Sequence, residues 1–338
     1  MALRPGLVAA GGRLPYLSRR KGARNRPLPG TKGNRMSIRP VSYEAGAQPT
    51  LEGAGVHLHR AFGFHNPDQM DPFLLFDDFR NERPQDYLRG FPWHPHRGIE
   101  TITYVLAGAV EHGDSLGNSG RLGAGDVQWM TAGSGIMHQE MPQGNAAGQM
   151  HGFQLWANLP SALKMTAPRY QDVGHGEIPE VVEDDGTRIR VIVGRFAGQR
   201  GPVDGIAADP QYLDISVPAG RRKSFRVDTW RRAFAYVFEG AGQFRDASAP
   251  RGVLLEKAVR GRDVNIRDLS GNRTLVQFGT GDEVTVTAGP EGVRFLLISG
   301  APIAEPIAWH GPIVMNTQAE LRQAMADLRN GTFIAQAH

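Results

Sequence analysis

At 338 residues the chain is long enough for about two domains, each with its own core. It is 40% hydrophobic and 21% charged, and no apolar run approaches the roughly 18 residues that span a bilayer, so no membrane segment is expected. Cysteine is absent, which excludes disulfides, thiolate metal sites and cysteine nucleophiles and leaves any metal to nitrogen and oxygen ligands.

The net charge of +4 and the pI near 9.5 belong mostly to one end. Residues 1–36 hold nine of the 38 Lys and Arg and no acid, leaving 29 bases against 34 acids in the remainder. A mildly acidic body does not suit direct nucleic-acid binding. The leader reads in three ways: an organelle transit peptide, a basic arm, or sequence ahead of a true start at Met36. Four prolines (Pro5, Pro15, Pro27, Pro29) break any helix there. The third reading is preferred, with 1–36 a disordered leader and the protein cytoplasmic and monomeric.

From 56 to 109 the pattern is strand-like, punctuated by Pro67-Asp68, Asp71-Pro72 and Gly90-Phe-Pro92. Its clearest strand is Ile99-Glu-Thr-Ile-Thr-Tyr-Val-Leu-Ala107, rich in β-branched and aromatic residues. A loop at 113–120, the segment Gly125–Gly133 and an apolar stretch around Phe153-Gln-Leu-Trp-Ala157 follow. Many short strands at this spacing predict an all-β jelly-roll barrel.

The second half repeats the first faintly. Tyr104-Val-Leu-Ala-Gly108 returns as Tyr236-Val-Phe-Glu-Gly240, and Gly125–Gly133 returns as Gly281–Gly289. Two matches in the same order point to a duplicated β module. The domains are therefore read as 37–200 and 201–338. A capping box, Thr317-Gln-Ala-Glu320, opens a closing helix with Leu321, Ala324, Met325 and Leu328 on one face and Asn330-Gly331 as its stop.

His94-Pro-His96 and His138-Gln-Glu140 are the informative pairs. Residues i and i+2 on a strand face the same way, so each pair delivers two side chains in one direction. Three imidazoles and a carboxylate suit one divalent metal: Fe(II), Mn, Ni, Cu(II), Zn or Co. A second pair, His57 and His59, has no matching His-x-Glu and reads as a surface accident.

Gly90-x3-His94-x-His96-x3-Glu100-x7-Gly108 and Gly125-x5-Thr131-x-Gly133-x4-His138 resemble the two cupin motifs. More narrowly, His94-Pro-His-Arg-Gly-Ile-Glu, Asp71-Pro-Phe-Leu-Leu-Phe-Asp-Asp-Phe79 and His310-Gly-Pro-Ile-Val-Met-Asn-Thr317 resemble the pirin family over about 36–331. The resemblance implies two tandem cupin domains and one metal, Fe(II) by preference, held by His94, His96, His138 and Glu140. Many cupins use instead the carboxylate of the first motif, here Glu100, which is placed on the inner face behind an imidazole. The repeat offsets put Arg226, Asp228, Arg294 and Leu296 where the four ligands stand, so the second domain reads as scaffold or partner surface.

His112, His151, His175 and His310 read as structural or exposed, Trp93, Trp129 and Trp156 as core or pocket wall, and Phe153 and Gln154 as pocket lining. The resemblance further implies a quercetin 2,3-dioxygenase type of activity on a flavonol and dioxygen, with Glu140 as the catalytic base. The alternative it implies is a metal- or redox-responsive regulator that binds a transcription factor or a metabolic enzyme.

Overall fold

The structure is a computed structural model describing residues 37–65, 67–203, 207–245 and 269–334. The leader, 1–36, lies outside the described residues.

In chain order the strands begin with β1 (Val41–Gly46), β2 (Gln48–Glu52), β3 (Val56–Phe62), β4 (Phe73–Asp78), β5 (Phe91–His96) and β6 (Ile99–Ala107). Then come β7 (Ala109–Asp114), β8 (Ser119–Leu122), β9 (Val127–Thr131), β10 (Ile136–Gln143), β11 (His151–Asn158) and β12 (Arg169–Val173). The chain crosses over through β13 (Glu180–Val182), β14 (Arg188–Val193) and the short ribbon β15 (Arg195–Phe196) and β16 (Gln199–Arg200). The later strands are β17 (Gln211–Val217), β18 (Arg222–Arg226), β19 (Arg232–Gln243), β20 (Ser270–Gly271), β21 (Thr274–Phe278) and β22 (Glu283–Gly300). A hairpin of β23 (Ala308–His310) and β24 (Ile313–Met315) precedes the closing helix. That helix is α2 (Gln318–Asn330), the only other α-helix described being the single turn α1 (Pro67–Met70).

The first barrel is a seven-stranded sheet, in order β12-β9-β6-β11-β4-β3-β2, facing the four strands β5-β10-β7-β8. The second is built on a sheet of order β1-β21-β19-β22-β17-β14-β13, with β18 paired to β22 and β20 to β19. The expectation of an all-β chain with a C-terminal helix is met. Sheet membership does not follow the cut at 200: β1, β13 and β14 precede it in sequence and hydrogen-bond within the second sheet.

A shared apolar layer joins the barrels, with Phe76, Tyr104, Trp129 and Phe153 from one side against Phe234, Tyr236, Phe238 and Leu296 from the other. Its polar groups are exchanged reciprocally. The Tyr104 hydroxyl donates to Asp214 at 2.7 Å, and the Tyr236 hydroxyl, at the matching position of the repeat, donates to Asp78 at 3.0 Å. Each buried phenol thus meets the need of a buried carboxylate across the seam.

The capping box forms as read, with the Glu320 amide donating to Thr317 Oγ1 (3.2 Å) and the Thr317 amide donating to Glu320 Oε2 (2.8 Å). Gly331 ends α2 in the left-handed region (φ 71°). Leu321 and Ala324 pack on the β23–β24 hairpin through Ala308, Ile313 and Met315. No described helix is long and apolar enough to cross a membrane.

Candidate metal centre and its cavity

Antiparallel register sets the centre. On β10 buried and partly exposed residues alternate at every position, with Ile136, His138, Glu140 and Pro142 on the buried face. His138 lies directly opposite His94 on β5, and Ile136 opposite His96. A bulge between His138 and Glu140 then brings Glu140 opposite Phe91.

His94, His96 and His138 converge, with ligand atoms all within 4.8 Å of one another. The Nδ1 of His94 faces the Pro92 carbonyl at 2.9 Å and that of His96 faces the Pro312 carbonyl at 3.3 Å. A carbonyl only accepts, so each Nδ1 carries the proton and each Nε2 presents a lone pair. Those two Nε2 atoms stand 3.1 Å apart. Burial, joined at His96 and His138 by neighbouring imidazoles, holds the basicity of all three below the ordinary histidine value, so they stay neutral. Both ring nitrogens of His138 are buried without a hydrogen-bond partner. Two opposed lone pairs and an orphaned imidazole are unfavourable by themselves and would be relieved by a shared cation. The donor set therefore fits a divalent metal.

Glu140 is buried beside this cluster and lines the same cavity as His94 and His96. Its Oε1 accepts from the Thr103 hydroxyl at 3.1 Å. Burial pushes its carboxyl up to about 7, Thr103 pulling the other way. Glu140 is outside the tight three-histidine group.

Glu100 does not face the centre. Gly98, at φ +78°, breaks the strand between His96 and Ile99, and a Cβ there would lie 2.0 Å from the Val314 carbonyl oxygen. The break resets the alternation. Ile99 turns into the barrel with Met130 and Ile136, whereas Ile102 and Tyr104, which share the parity of Glu100, enter the inter-barrel layer. Glu100 there accepts from the Thr131 hydroxyl at 2.7 Å. The expectation of an inner-face carboxylate behind an imidazole is corrected accordingly.

The cavity holds about 400 Å3, within the range of small-molecule sites. Leu58, Leu75, Phe79, Phe91 and Trp156 supply its apolar wall, and Gly311 and Pro312 of the β23–β24 turn close one side. Its polar floor is a row across the sheet in which Arg60, Asp77, Gln154 and Thr103 lie opposite one another in turn, with Gln128 next in the row beyond the cavity lining. The Thr103 hydroxyl is within 2.8 Å of Gln154 Oε1 as well as in reach of Glu140. Gln154 lines the cavity as expected; Phe153, one residue earlier, points to the opposite face and into the inter-barrel layer. Trp156 is pocket wall and Trp129 is core, but Trp93 is exposed. His112 is buried and within 2.9 Å of Gln128, His151 packs near Asp78, and His175 is exposed. His57 is exposed too, while His59 lies 3.2 Å from Arg273 at the seam. Arg60, Asp77 and Pro312 were not singled out by sequence, although the acidic pair Asp77-Asp78 ending an apolar strand was a usable signal.

The repeat alignment also shifts. The start of β22 pairs with β18 as β10 pairs with β5, which sets Gly281 against Gly135, not against Gly125. The residues in the corresponding inward positions are Phe225, Val227, Val284 and Val286, with Phe225 opposite Val284 as His94 is opposite His138. Arg226 and Asp228 face solvent. Among the described residues the three-histidine group is the one cluster of this kind.

Comparison with known proteins agrees with this architecture. The family model described as Pirin matches residues 55–157, and that described as Pirin C-terminal cupin domain matches 212–334. A pirin-like protein of Caulobacter vibrioides is 43% identical over 299 residues, covering 88% of this chain and all of that one. Human pirin is 37% identical, over 87% of this chain and 93% of its own length. The crystal structure of quercetin 2,3-dioxygenase from Acinetobacter baumannii superposes with a TM-score of 0.75 at 30% identity, covering 88% of this chain and 99% of that one.

Proposed function

We propose that this chain, which belongs to the pirin family and has its two cupin domains, is a metal-dependent dioxygenase of the quercetin 2,3-dioxygenase type. Its mononuclear centre is held by His94, His96, His138 and Glu140, with Fe(II) as the preferred metal. The observation that carries the reading is the opening of the His94 and His96 side of the neutral three-histidine cluster, with Glu140, onto a largely apolar cavity.

A bound divalent metal would acidify a coordinated flavonol hydroxyl and bring dioxygen, the co-substrate, to the activated ring. The residues do the rest. Glu140 is placed to take the hydroxyl proton, and the Thr103 hydroxyl holds its Oε1 in position. The carbonyls of Pro92 and Pro312 fix the tautomers of His94 and His96, leaving their Nε2 atoms free to bind. Trp156, Phe91 and Leu58 give the flat rings of a flavonol an apolar wall and keep bulk water from the reacting carbon.

Glu140→Gln tests this directly, since glutamine keeps the size and loses the charge and the basicity. Flavonol-dependent oxygen uptake should fall by about 10²–10⁴, while three histidines retain metal. Equal uptake by wild type, variant and free Fe(II) would sink the catalytic reading and favour the non-enzymatic regulator.

A further inference from the structure

We propose that Arg60, Asp77 and Glu52 form a second recognition subsite in the same cavity, one that accepts hydrogen bonds from the hydroxyls of a phenolic ring and so fixes which end of the substrate reaches the metal. The inference rests on the reading of that cavity as a flavonol site.

The first argument is charge. Asp77 on β4 grips Arg60 on β3 with both oxygens, from Nε at 2.8 Å and Nη2 at 2.7 Å, while Glu52 takes Nη1 at 2.8 Å. Two carboxylates face one guanidinium, so this end of the cavity is net negative once both are ionised. Burial pushes the Asp77 carboxyl up to about 6 against the pull of Arg60, which leaves it ionised above that pH. A negative end whose cation is already engaged rejects anions and suits neutral donors such as phenol hydroxyls.

The second argument is distance. Thr103, which touches Glu140, and Asp77 stand opposite one another across the intervening Gln154 of β11. Two strand spacings separate them, about 10 Å, comparable with the length of a three-ring phenolic. Gln154 Oε1 accepts from the Thr103 hydroxyl, and the side chain fills the polar floor midway.

The third argument is a run of rings along the same course. His96 meets Trp156 edge-on (5.1 Å between centroids), Trp156 meets Trp309 (6.3 Å), and Trp309 meets Phe64 (4.6 Å). The Arg60 guanidinium then lies 5.2 Å over Phe64. Trp156 and Phe64 line the cavity and Trp309 packs against both, so a course of aromatic rings runs from the histidines to Arg60. A planar substrate stacked there has its reacting oxygens at one end and its pendant ring at the carboxylates. The structural role of an ordinary buried ion pair does not call for both carboxylates to border an open cavity.

The test compares quercetin, whose pendant ring carries two hydroxyls, with galangin, whose pendant ring carries none. Dissociation constants are measured anaerobically by tryptophan fluorescence on the full-length metal-loaded protein and on Asp77→Asn and Glu52→Gln. Wild type should bind quercetin about tenfold tighter or more, the value of a hydrogen bond to a charged acceptor. Both variants should bring the ratio near one with galangin affinity unchanged. Glu52 is partly exposed, so its variant carries the test even if Asp77→Asn folds poorly. A preference that survives in both variants would mean the catechol is held elsewhere, and equal binding of both flavonols by wild type would likewise overturn the subsite; either leaves the dioxygenase reading standing. Binding of neither flavonol by metal-loaded wild type would remove both.

Discussion

The two barrels share a fold and differ in what fills them. In the second, nineteen of the described residues form one continuous apolar core, with Phe225, Val227, Val284 and Val286 at the inward positions of β18, β22 and the residue beyond β18. In the first, the apolar interior is divided into a cluster around Val56, Leu58, Phe79 and Val105 and another around Leu74, Ile99, Met130 and Ile136. The polar row from Arg60 to Gln128 and the histidine cluster lie among inward positions that the second barrel gives to apolar residues, Val191, Leu213, Leu297, Ala235 and Val276 in the row and Phe225 and Val284 where His94 and His138 stand. A jelly roll therefore needs no polar interior for its own sake. The first barrel gives up close packing to hold a cavity, and the shared layer around Phe76, Phe153, Phe234 and Tyr236 ties it to a partner that kept its core.

The comparison can be broken most sharply at Phe225. Phe225→Ala opens a void in the continuous core and should cost about 3–5 kcal/mol in urea unfolding. His96→Ala in the first barrel should instead abolish metal binding, expected by elemental analysis at one per wild-type chain, and cost the metal-free protein less than Phe225→Ala. A larger loss from His96→Ala, or unchanged metal content, would reverse the division of labour.

Lys164 sharpens it next. This buried ammonium donates to the carbonyls of Gly98 and Val314 at 2.9 Å each and to Asn158 Oδ1 at 2.5 Å, tying the metal-motif turn to the C-terminal hairpin. Burial pulls its pKa from 10.5 down to about 7, Glu305 and Glu320 acting the other way. Between those pH values the unfolded chain holds a proton that the folded chain has released, so stability should rise with pH across that window. Lys164→Met should erase that slope and cost about 2 kcal/mol at pH 7 by leaving three acceptors without their donor. A slope that persists in the variant would assign it to another group. The smallest effect belongs to Thr317→Ala, which removes the cap of α2 and should cost about 1 kcal/mol; a null result in thermal unfolding would show that the hairpin, not the cap, holds the helix.

The metal-ligand candidates were legible because their logic is local. His94/His96 and His138/Glu140 are each two residues apart, and a strand turns that spacing into a shared face. Thr317–Glu320 was legible for the same reason. Arg60 and Asp77 were not, because their meeting depends on the register of β3 on β4, and their place on the cavity floor depends on β11 and β6 as well. Pro312 reaches His96, and Trp309 backs Trp156, from a hairpin more than 200 residues beyond His94 in the chain. Glu100 was misplaced because counting by twos from His96 ignores the turn at Gly98, and the second repeat match slipped because Gly125-Asp126 precedes β9 whereas Gly281-Asp282 precedes β22, whose start corresponds to β10.

The position of β1 bears on how the chain is made. Val41 pairs with Phe278 and Gly46 with Thr274, so one of the first described strands to leave the ribosome has its partner among the last. Until β21 emerges, the backbone donors and acceptors of β1 are an open edge able to template pairing with another nascent chain. Closing so distant a pair also makes the second sheet slow to complete. Synthesis of the second half alone would omit β1, β13 and β14 together, so a fragment beginning at residue 201 should aggregate where the whole protein folds.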